Sequence, residues 1–297
     1  MAVELAQPSV GWPYRVEGWL AELLFGGFRL LSIDRASALG GAIARTIGPR
    51  LGVSKRARLN LKRALPELTD TDIAAAIRGM WDNLGRVVAE YPHLRQVQAF
   101  GAESRVEIIG VEHIDRSIAA GRQFILVAGH LGNWEVAPLS AGQYGLKVAF
   151  VYRAANNPLI ERMMSAMRAE WAEFTPKGPI ASRRVVGALR EGMHLGMLVD
   201  QKMNDGIAVP FFGRNAMTAP AVARLALRYD LDVIPVRSER LEGAYFRLTV
   251  HPPIPHPKSG DRDADTLALM TAVNQTLENW IRDRPDQWFW LHRRWPN

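Results

Sequence analysis

Residues 124–135, FILVAGHLGNWE, decide how the fold of this chain is interpreted. Residues 124–127 form a short apolar run, which is typical of a buried strand when glycine follows it. Asn133 then precedes a segment of apolar periodicity and fits the N-cap of a helix that extends to residue 144. His130 is therefore predicted in the turn between the carboxyl end of a strand and a helix. Ligands bind at that edge of open α/β sheets, where free N–H groups of a helix start stabilise negative charge.

His130 and Glu135 are the candidate catalytic pair. Five positions on a continuous helix correspond to about 500° of rotation, so the two side chains cooperate only if His130 lies outside the helix. Histidine is the usual general base for a hydroxyl group, and a carboxylate on its other ring nitrogen fixes the tautomer. This arrangement suits acyl transfer to an alcohol. The alternative is a loop histidine beside an ordinary acidic residue of the first helical turn, which the helix dipole favours.

The composition indicates a folded protein with an acidic partner. The chain has 297 residues, 48% of them hydrophobic, which suffices for one large α/β domain or for two domains. Cysteine is absent, which excludes a disulfide framework and argues against a zinc site, as does the lack of His-Glu-x-x-His spacing. The net charge of +7 and the pI near 10.0 suit anionic lipid, an acidic carrier protein or nucleic acid. No nucleic-acid-binding motif accompanies the charge, so nucleic acid is the weakest of these options.

The amino-terminal third is predicted to be mostly helical and to associate with a membrane. Residues 19–33 are apolar but contain Glu22 and Arg29, and they are fewer than the ~20 that a membrane span needs. They indicate a helix on or dipping into the membrane surface, or else an ordinary buried helix. The candidate interface anchors are Trp12, Trp19, Phe25 and Phe28. The basic segment 54–68 either binds anionic head groups or forms a solvated helix face.

From residue 105 onward, short apolar runs alternate with helical patterns. Strands are predicted at residues 105–110, 123–128, 147–152, 194–199, 232–239 and 244–250, and helices at 111–121, 133–144, 158–171, 183–191, 219–229 and 264–283. The alternation predicts an α/β fold with a mostly parallel sheet flanked by helices. We expect a helical, membrane-associating region at residues 1–100 and an α/β core with an aromatic and basic tail at 101–297. Together they are expected to form one continuous catalytic domain.

Polar residues follow three of the predicted strands. His130 follows the strand at 123–128, and Arg153 and Asn157 follow the strand at 147–152. Asp200 and Gln201 follow the strand at 194–199. If these strands are neighbours, their polar ends converge on one edge of the sheet. Taken singly, Arg153 fits a surface arginine, Asn157 a helix cap and Asp200 a turn residue.

With these residues identified, the sequence resembles the lauroyl and myristoyl acyltransferases of lipid A biosynthesis. That family is related in fold and in its His-x4-acid motif to the glycerolipid acyltransferases. The resemblance rests on five blocks in order: GHLGNWE (129–135), YRAANNP (152–158), LREGMHLGMLVDQ (189–201), VPFFG (209–213) and DQWFWLHRRW (286–295). RARLNLKRALPEL at residues 56–68 is similar to the family's amino-terminal signature. One residue departs from the family pattern: relatives commonly have proline after the tyrosine-arginine pair, where this chain has Ala154. This difference affects only the expected conformation of the local loop.

The resemblance implies an enzyme on the cytoplasmic face of the inner membrane. It would take a fatty acyl chain from acyl carrier protein and esterify a hydroxyl of a lipid A precursor. The implied partners are acyl carrier protein, the lipid A precursor and a membrane surface with anionic lipid. His130 carries over as the general base with Glu135 as its partner, and Arg153 and Asp200 carry over as active-site residues.

Further site residues complete this hypothesis. Backbone N–H groups near Gly132 and Asn133 are expected to stabilise an oxyanion. The expected substrate-binding residues are Arg153, Asn157, Asp200 and Gln201. Phe211 and Phe212 either line an acyl channel or pack in the core. No metal or organic cofactor is expected, and a covalent acyl-enzyme is disfavoured because cysteine and a Gly-x-Ser-x-Gly elbow are absent.

The carboxyl-terminal tail leaves two interpretations open. Trp288, Trp290 and Trp295 suit either a membrane interface or a cap on the fold. Nothing in the sequence distinguishes His292 from a structural histidine. Two rival functions also remain: the acceptor is another glycolipid or aminolipid, or the chain is a peripheral membrane-binding protein without catalysis.

Overall fold

The computed structural model describes residues 10–169, 171, 173–176, 178 and 181–295. Residues 1–9 of the predicted amino-terminal region and 296–297 of the predicted core lie outside the described residues. The helices are α1 (Trp12–Arg29), α2 (Ile33–Ile47), α3 (Ser54–Ala64), α4 (Asp70–Glu90), α5 (Glu112–Ala119), α6 (Val136–Gln143), α7 (Pro158–Arg168), α8 (Ala181–Arg190), α9 (Ala221–Tyr229) and α10 (Arg262–Asp283). The strands are β1 (Val106–Ile109), β2 (Phe124–Ala128), β3 (Val148–Tyr152), β4 (Glu173–Pro176), β5 (His194–Leu198), β6 (Ile207–Phe211), β7 (Arg214–Thr218), β8 (Asp232–Arg240) and β9 (Phe246–Val250).

Helices occupy the amino-terminal third, as the sequence predicts. Thr69 caps α4 in a capping box, in which its hydroxyl accepts from the N–H of Asp72 and the Asp72 carboxylate accepts from the N–H of Thr69. Ser32 caps α2 and so separates it from α1, where the sequence suggested one continuous apolar segment. The helix α2 then packs along α4.

The face of α1 is divided between solvent and core. Trp12 and Trp19 are 76% and 59% exposed, as interface anchors would be, whereas Phe25 and Phe28 are buried. The prediction that both phenylalanines anchor the protein at an interface is therefore wrong, because they pack against residues of the later elements. None of the described helices combines the length and the apolar character that crossing a bilayer requires.

Seven strands form a mostly parallel sheet in the order β1-β9-β8-β2-β5-β3-β4. The strands from β8 to β4 run parallel to their neighbours, and the antiparallel pairing of β8 with β9 reverses the direction at the other edge. The predicted α/β fold with a helical amino-terminal region is confirmed. Strands β2, β5 and β3 are adjacent, which is the condition for their polar carboxyl ends to meet.

The two faces of the sheet bury two different cores. Ile125 and Val127 of β2 pack with α3, α4, α9, α10 and the tail on one face. Phe124 and Leu126 point to the other face, towards α6 and the end of α4, because successive strand residues alternate in direction. The residues that follow β2 are therefore held in place by packing on both faces of the sheet.

The sequence did not predict every element. The edge strand β4 and the separate hairpin β6–β7 were missed, and α6 begins at Val136 rather than at 133. Asn133 does stabilise this turn, since its Oδ1 accepts from the N–H of Glu135 at 3.1 Å. Residues 133–135 thus form a polar-capped turn before the helix.

Candidate active site

His130 lies in the loop between β2 and α6, at the carboxyl edge of the sheet. Its backbone is fixed on both sides: its N–H donates to Asp200 Oδ2 at 2.7 Å, and its carbonyl accepts from the N–H of Phe289 at 3.2 Å. The ring is 13% exposed and contacts Trp134 edge to face, with the ring centroids 5.0 Å apart. The imidazole is thus held in one place but remains accessible.

The carboxylate that contacts His130 is Asp200, which follows β5 and is fully buried. Its Oδ1 lies 2.7 Å from His130 Nδ1, and its Oδ2 also accepts from the indole N–H of Trp288 at 2.8 Å. Burial alone would raise the pKa of Asp200, but the charge and hydrogen bonds of His130 outweigh it and hold this pKa far below its ordinary value. The carboxylate is therefore ionised and engages Nδ1, while the other ring nitrogen, Nε2, lies 3.4 Å from the amide nitrogen of Gln201.

Glu135 does not touch His130, and the predicted contact between the two is wrong. Glu135 points into the protein, where its carboxylate accepts from Arg168 Nε at 2.8 Å and from the hydroxyl of Tyr91. Arg168 is itself buried, and its pKa is raised because Glu135 and Tyr91 outweigh the cost of its burial. Glu135 thus anchors α7 to the loop that carries His130. Asp200, and not Glu135, supplies the carboxylate that bonds to the imidazole.

An apolar cavity of about 120 Å³ opens beside His130. It lies between the carboxyl ends of β2, β5 and β3 and the start of α6. Its apolar lining includes Leu126, Ala137, Phe150, Phe174, Leu198 and Val236, and its polar lining includes His130, Glu135, Arg153, Arg168 and Gln201. Gly196 is required in this wall, because a Cβ there would lie 2.3 Å from the ring of Phe150. The cavity therefore offers an apolar volume that ends at the imidazole.

The Gly132 part of the predicted backbone oxyanion site is already occupied by a contact within the protein. The N–H of Gly132 donates to the carbonyl of Gln287 at 3.2 Å, so it is already engaged. Gly132 has φ 52°, and a Cβ there would meet the Ser238 carbonyl oxygen at 2.7 Å. The buried Asn133 side chain donates to Glu90. Both residues hold the loop in shape.

The four predicted substrate-binding residues separate into three groups. Asp200 is fully buried outside the cavity lining and holds His130. Arg153 and Gln201 line the cavity, and Gln201 Nε2 lies 3.4 Å from His130 Nε2. Asn157 instead caps α7 and donates to the carbonyl of Tyr14 in α1 at 2.9 Å. It is buried outside the cavity lining, so the structure supports a structural role for it.

Phe211 and Phe212 lie on the opposite face of the sheet from the cavity. Both are buried, and the Phe211 ring packs against Trp288 and Trp295. They belong to the core and not to the lining of the apolar cavity. The alternative interpretation, core packing, is the correct one.

Two residues of the tail are more closely involved than the sequence suggested. Trp288 is fully buried and orients Asp200, and the three tail tryptophans cap the fold. The His292 ring lies 5.2 Å from that of His130 between centroids, and its Nε2 is buried without a hydrogen-bond partner among the described residues. Burial lowers the pKa of His292 to about 3, so it is neutral near pH 7. The only sequence signal was their membership of the tail block.

His130, Asp200 and His292 are also the described residues that could hold a metal ion. One ligand atom of each lies within 4.8 Å of the others. Both Asp200 oxygens already accept hydrogen bonds and His130 Nδ1 is engaged, so metal binding would have to break these contacts. The arrangement as it stands is that of a base held by a carboxylate, next to a volume for an apolar chain.

Comparison with known proteins shows the family of this chain. A family model described as bacterial lipid A biosynthesis acyltransferase matches residues 6–297. The chain is 26% identical to a lipid A biosynthesis lauroyltransferase of Escherichia coli, over 82% of this chain and 79% of the relative. It is 22% identical to a lipid A biosynthesis acyltransferase of Haemophilus influenzae, over 92% and 84%. It is also 24% identical to a phosphatidylinositol mannoside acyltransferase of Mycobacterium tuberculosis, over 98% and 90%.

Proposed function

The chain belongs to the bacterial lipid A biosynthesis acyltransferase family, and from this premise we propose that it moves a fatty acyl chain from acyl carrier protein to a hydroxyl of a lipid A precursor. Membership makes the protein an acyltransferase of lipid A biosynthesis. The donor, the catalytic residues and the location are the parts that we propose. The observation that carries them is the imidazole of His130, fixed by Asp200 and placed at the end of an apolar cavity.

His130 acts as the general base in this proposal. Its Nδ1–H donates to Asp200, so Nε2 carries the lone pair and accepts the proton of the acceptor hydroxyl. The hydroxyl oxygen then forms a bond to the thioester carbonyl carbon, and the carbon–sulfur bond breaks. The imidazolium returns its proton to the leaving thiolate, so the products are an ester and the free thiol of the carrier. Asp200 stabilises the imidazolium and keeps the ring in the required tautomer.

Arg153 and Gln201 are the proposed stabilisers of the oxyanion. Both line the cavity, and Gln201 is next to His130 Nε2, where the carbonyl must approach. This assignment replaces Gly132, whose N–H is engaged by Gln287. A fixed positive charge or N–H donor beside the developing negative charge lowers the barrier to attack.

The apolar cavity is the proposed site of the acyl chain. Its lining is mostly aliphatic and aromatic, and one end reaches His130, so a chain inside it would present its thioester to the base. Holding donor and acceptor together supplies much of the rate increase. We propose that no metal or organic cofactor takes part, since the thioester supplies the activated acyl group.

We further propose that the enzyme works at the cytoplasmic face of the inner membrane. The net charge of +7 favours encounter with an acidic carrier protein and with anionic lipid. The exposed Trp12 and Trp19 of α1, with Leu20 and Leu23, provide an apolar surface that suits the membrane interface.

A second candidate acceptor deserves a direct comparison. The relative from Mycobacterium tuberculosis that is named a phosphatidylinositol mannoside acyltransferase matches 98% of this chain. An acylated mannoside is therefore the alternative acceptor, with the same base and the same acyl cavity.

The proposal is tested by incubating the purified protein with defined acyl carrier protein donors and each acceptor separately. Mass spectrometry should show a mass gain of one acyl group on the lipid A precursor. A gain on the phosphatidylinositol mannoside alone would select the second candidate. Absence of transfer to both acceptors, by protein that is folded and bound to vesicles, would refute the proposal.

A further inference from the structure

A cleft of about 350 Å³ lies where the end of α2, the loop after it, the start of α3 and the middle of α4 meet. Its lining contains five basic side chains: Arg45, Arg50, Lys55, Arg58 and Arg78. None of the described acidic residues lines it. We call this feature the basic cleft. It is separate from the acyl cavity and has no part in the mechanism above.

The positive charge of the basic cleft is only partly compensated within the protein. Arg45 pairs with Asp82 at 2.7 Å, and Arg50 donates to the carbonyl of Thr46. Lys55, Arg58 and Arg78 form no ion pair within 4.0 Å with the part of the chain that the structure describes. Like charges collected in one concave surface create a local positive potential that attracts an anion.

The neighbouring cleft shows the contrast. It has a volume of about 460 Å³ and shares Arg45 and Arg78 with the basic cleft, but Asp82, Glu242 and Asp286 also line it. Two of its other arginines are paired, Arg86 with Asp82 and Arg284 with Asp286. An anion would meet three carboxylates among the arginines there and no carboxylate in the lining of the basic cleft.

The helix α3 connects the basic cleft to the carboxyl-terminal tail. Asn60 donates to the carbonyls of Trp290 and His292, each at 2.9 Å, and Arg56 donates to the carbonyl of Leu291. The His292 ring in turn lies 5.2 Å from that of His130. Lys55 and Arg58 flank Arg56 on the helix, where each residue advances only about 1.5 Å along the axis. The same helix therefore carries two residues of the basic cleft and two residues that fix the tail beside His130.

The surface beside the basic cleft is apolar. Leu51 lines the cleft and is 45% exposed, and Ile43 and Ile47 on the last turns of α2 are 45% and 53% exposed. Leu59 of α3 is 46% exposed. Apolar side chains beside arginine and lysine are typical of a surface that meets lipid head groups. A concave site of this volume also matches a small head group better than the broad face of an acidic protein.

We propose that the basic cleft binds a phosphate group of the membrane-embedded acceptor glycolipid and thereby places the acceptor hydroxyl at His130. The guanidinium group forms paired hydrogen bonds to phosphate oxygens, so a cluster of arginines suits this anion. This inference rests on the proposed function, because it assigns one substrate of that reaction to a site. It makes acceptor binding depend on the basic cleft and donor binding independent of it.

The kinetic test uses the variant Lys55→Gln/Arg58→Gln/Arg78→Gln. The matched control is Arg116→Gln/Arg224→Gln/Arg262→Gln, which removes the same charge from exposed positions on α5, α9 and α10. The cleft variant should raise the KM for the acceptor about tenfold or more, with kcat and the KM for the donor within about twofold of wild type. The control should keep wild-type values. A rise in the donor KM instead, or no change in either KM, would overturn the inference.

A binding test separates this inference from the proposed function, because it needs no turnover. Flotation measures binding to phosphatidylcholine vesicles with and without phosphatidic acid, and calorimetry measures binding of inorganic phosphate. The cleft variant should lose about fivefold or more of the preference for phosphatidic acid, while the control variant keeps it. Equal loss in both variants would show an effect of net charge alone and would overturn the inference. Tight binding of inorganic phosphate without any preference for phosphatidic acid would overturn it as well.

Discussion

At the level of single residues, two buried carboxylates lie near His130 and have different partners. Asp200 bonds to the imidazole, whereas Glu135 bonds to Arg168 and Tyr91. Replacement of each by its amide should therefore produce a different defect. Loss of Asp200 changes the tautomer of the base, and loss of Glu135 leaves a buried guanidinium without its counter-ion.

The first prediction concerns Asp200→Asn. The amide donates where the carboxylate accepted, which drives the His130 proton to Nε2 and removes the lone pair from the reacting nitrogen. We expect kcat to fall by about 10²–10⁴ with little loss of stability. Steady-state kinetics with Asp205→Asn as control, an exposed acid in the following loop, checks this. A kcat within about tenfold of wild type would contradict the assignment of Asp200.

The second prediction concerns Glu135→Gln. Breaking a buried ion pair on one side costs about 3–5 kcal/mol of unfolding free energy, because Arg168 stays buried. Urea unfolding measures this loss, and the paired variant Glu135→Leu/Arg168→Met should recover part of it. If stability were unchanged while transfer fell as far as in Asp200→Asn, Glu135 would belong to the chemistry and not to the support of α7.

The sequence predicted the position of His130 but not the carboxylate that bonds to it. A strand, a glycine and a histidine before a helical pattern are local features, and they place His130 at the sheet edge. Asp200 lies 70 residues further along the chain, and its contact exists only because β5 pairs with β2. The nearer acid, Glu135, was chosen from the motif, but the turn at residues 133–135 directs it inward.

At the level of elements, β8 offers a test of the acyl cavity. Val236 lines both the acyl cavity and a smaller apolar cavity of about 30 Å³ next to it, and Leu126 and Ala137 are shared in the same way. These side chains form the wall between the two volumes. Val233 lies on the same strand but faces the opposite core.

The third prediction therefore compares Val236→Ala with Val233→Ala. Val236→Ala removes part of the wall between the two cavities and should lengthen the preferred acyl chain by about one or two carbons. Val233→Ala should lower the free energy of unfolding by a similar amount, about 1–3 kcal/mol, without changing the preferred acyl chain length. Product masses from mixed-length acyl carrier donors report the outcome. An unchanged profile in Val236→Ala, or the same shift in both variants, would show that the chain does not occupy this cavity.

The elements that the sequence predicted well are those with strong local signals. The central strands β2, β3 and β5 are continuous apolar runs, and α4 has both a capping box and regular apolar spacing. The edge strand β4 has only four residues, and β7, with the sequence RNAMT, is not an apolar run. The pairing of β4 depends on β3, which lies before α7 in the chain, whereas β6 and β7 are joined by Phe212 and Gly213, a local turn signal that went unrecognised.

At the level of the whole molecule, the sheet separates chemistry from support. The apolar cavity beside His130 lies on the α6 side, and the tail tryptophans, Phe211 and Phe212 lie on the other side, where Trp288 bonds to Asp200. The side on which a buried phenylalanine packs depends on how the hairpin β6–β7 docks against α10. Composition and residue spacing do not reveal this docking. The interpretation of Phe211 and Phe212 as lining an acyl channel was wrong for that reason.

The fourth prediction is a loss of stability in mild acid. Burial lowers the pKa of His292 to about 3, and the pKa values of His194 and His251 are also lowered by burial. Each of these neutral, buried histidines stabilises the folded state, and this contribution is complete above the unfolded pKa near 6.5. As the pH falls, the free energy of unfolding decreases by about 1.4 kcal/mol per pH unit for one fully shifted group. Between pH 6.5 and 5, His292 alone should account for about 2 kcal/mol. Urea unfolding at pH 7.5 and 5.0 should show a smaller loss in His292→Asn than in wild type; an equal loss would contradict the assignment.

The central claim is that the imidazole of His130 removes the proton from the acceptor hydroxyl. The most direct measurement is the single-turnover rate of acyl transfer by purified His130→Ala, with acyl carrier protein as donor and a lipid A precursor as acceptor. Vesicle binding should match wild type, and the variant should remain folded with a lower free energy of unfolding, because Asp200 stays buried without the imidazole and Trp134 loses its contact. The account predicts a rate about 10²–10⁴ below wild type; a rate within about threefold of wild type would contradict it.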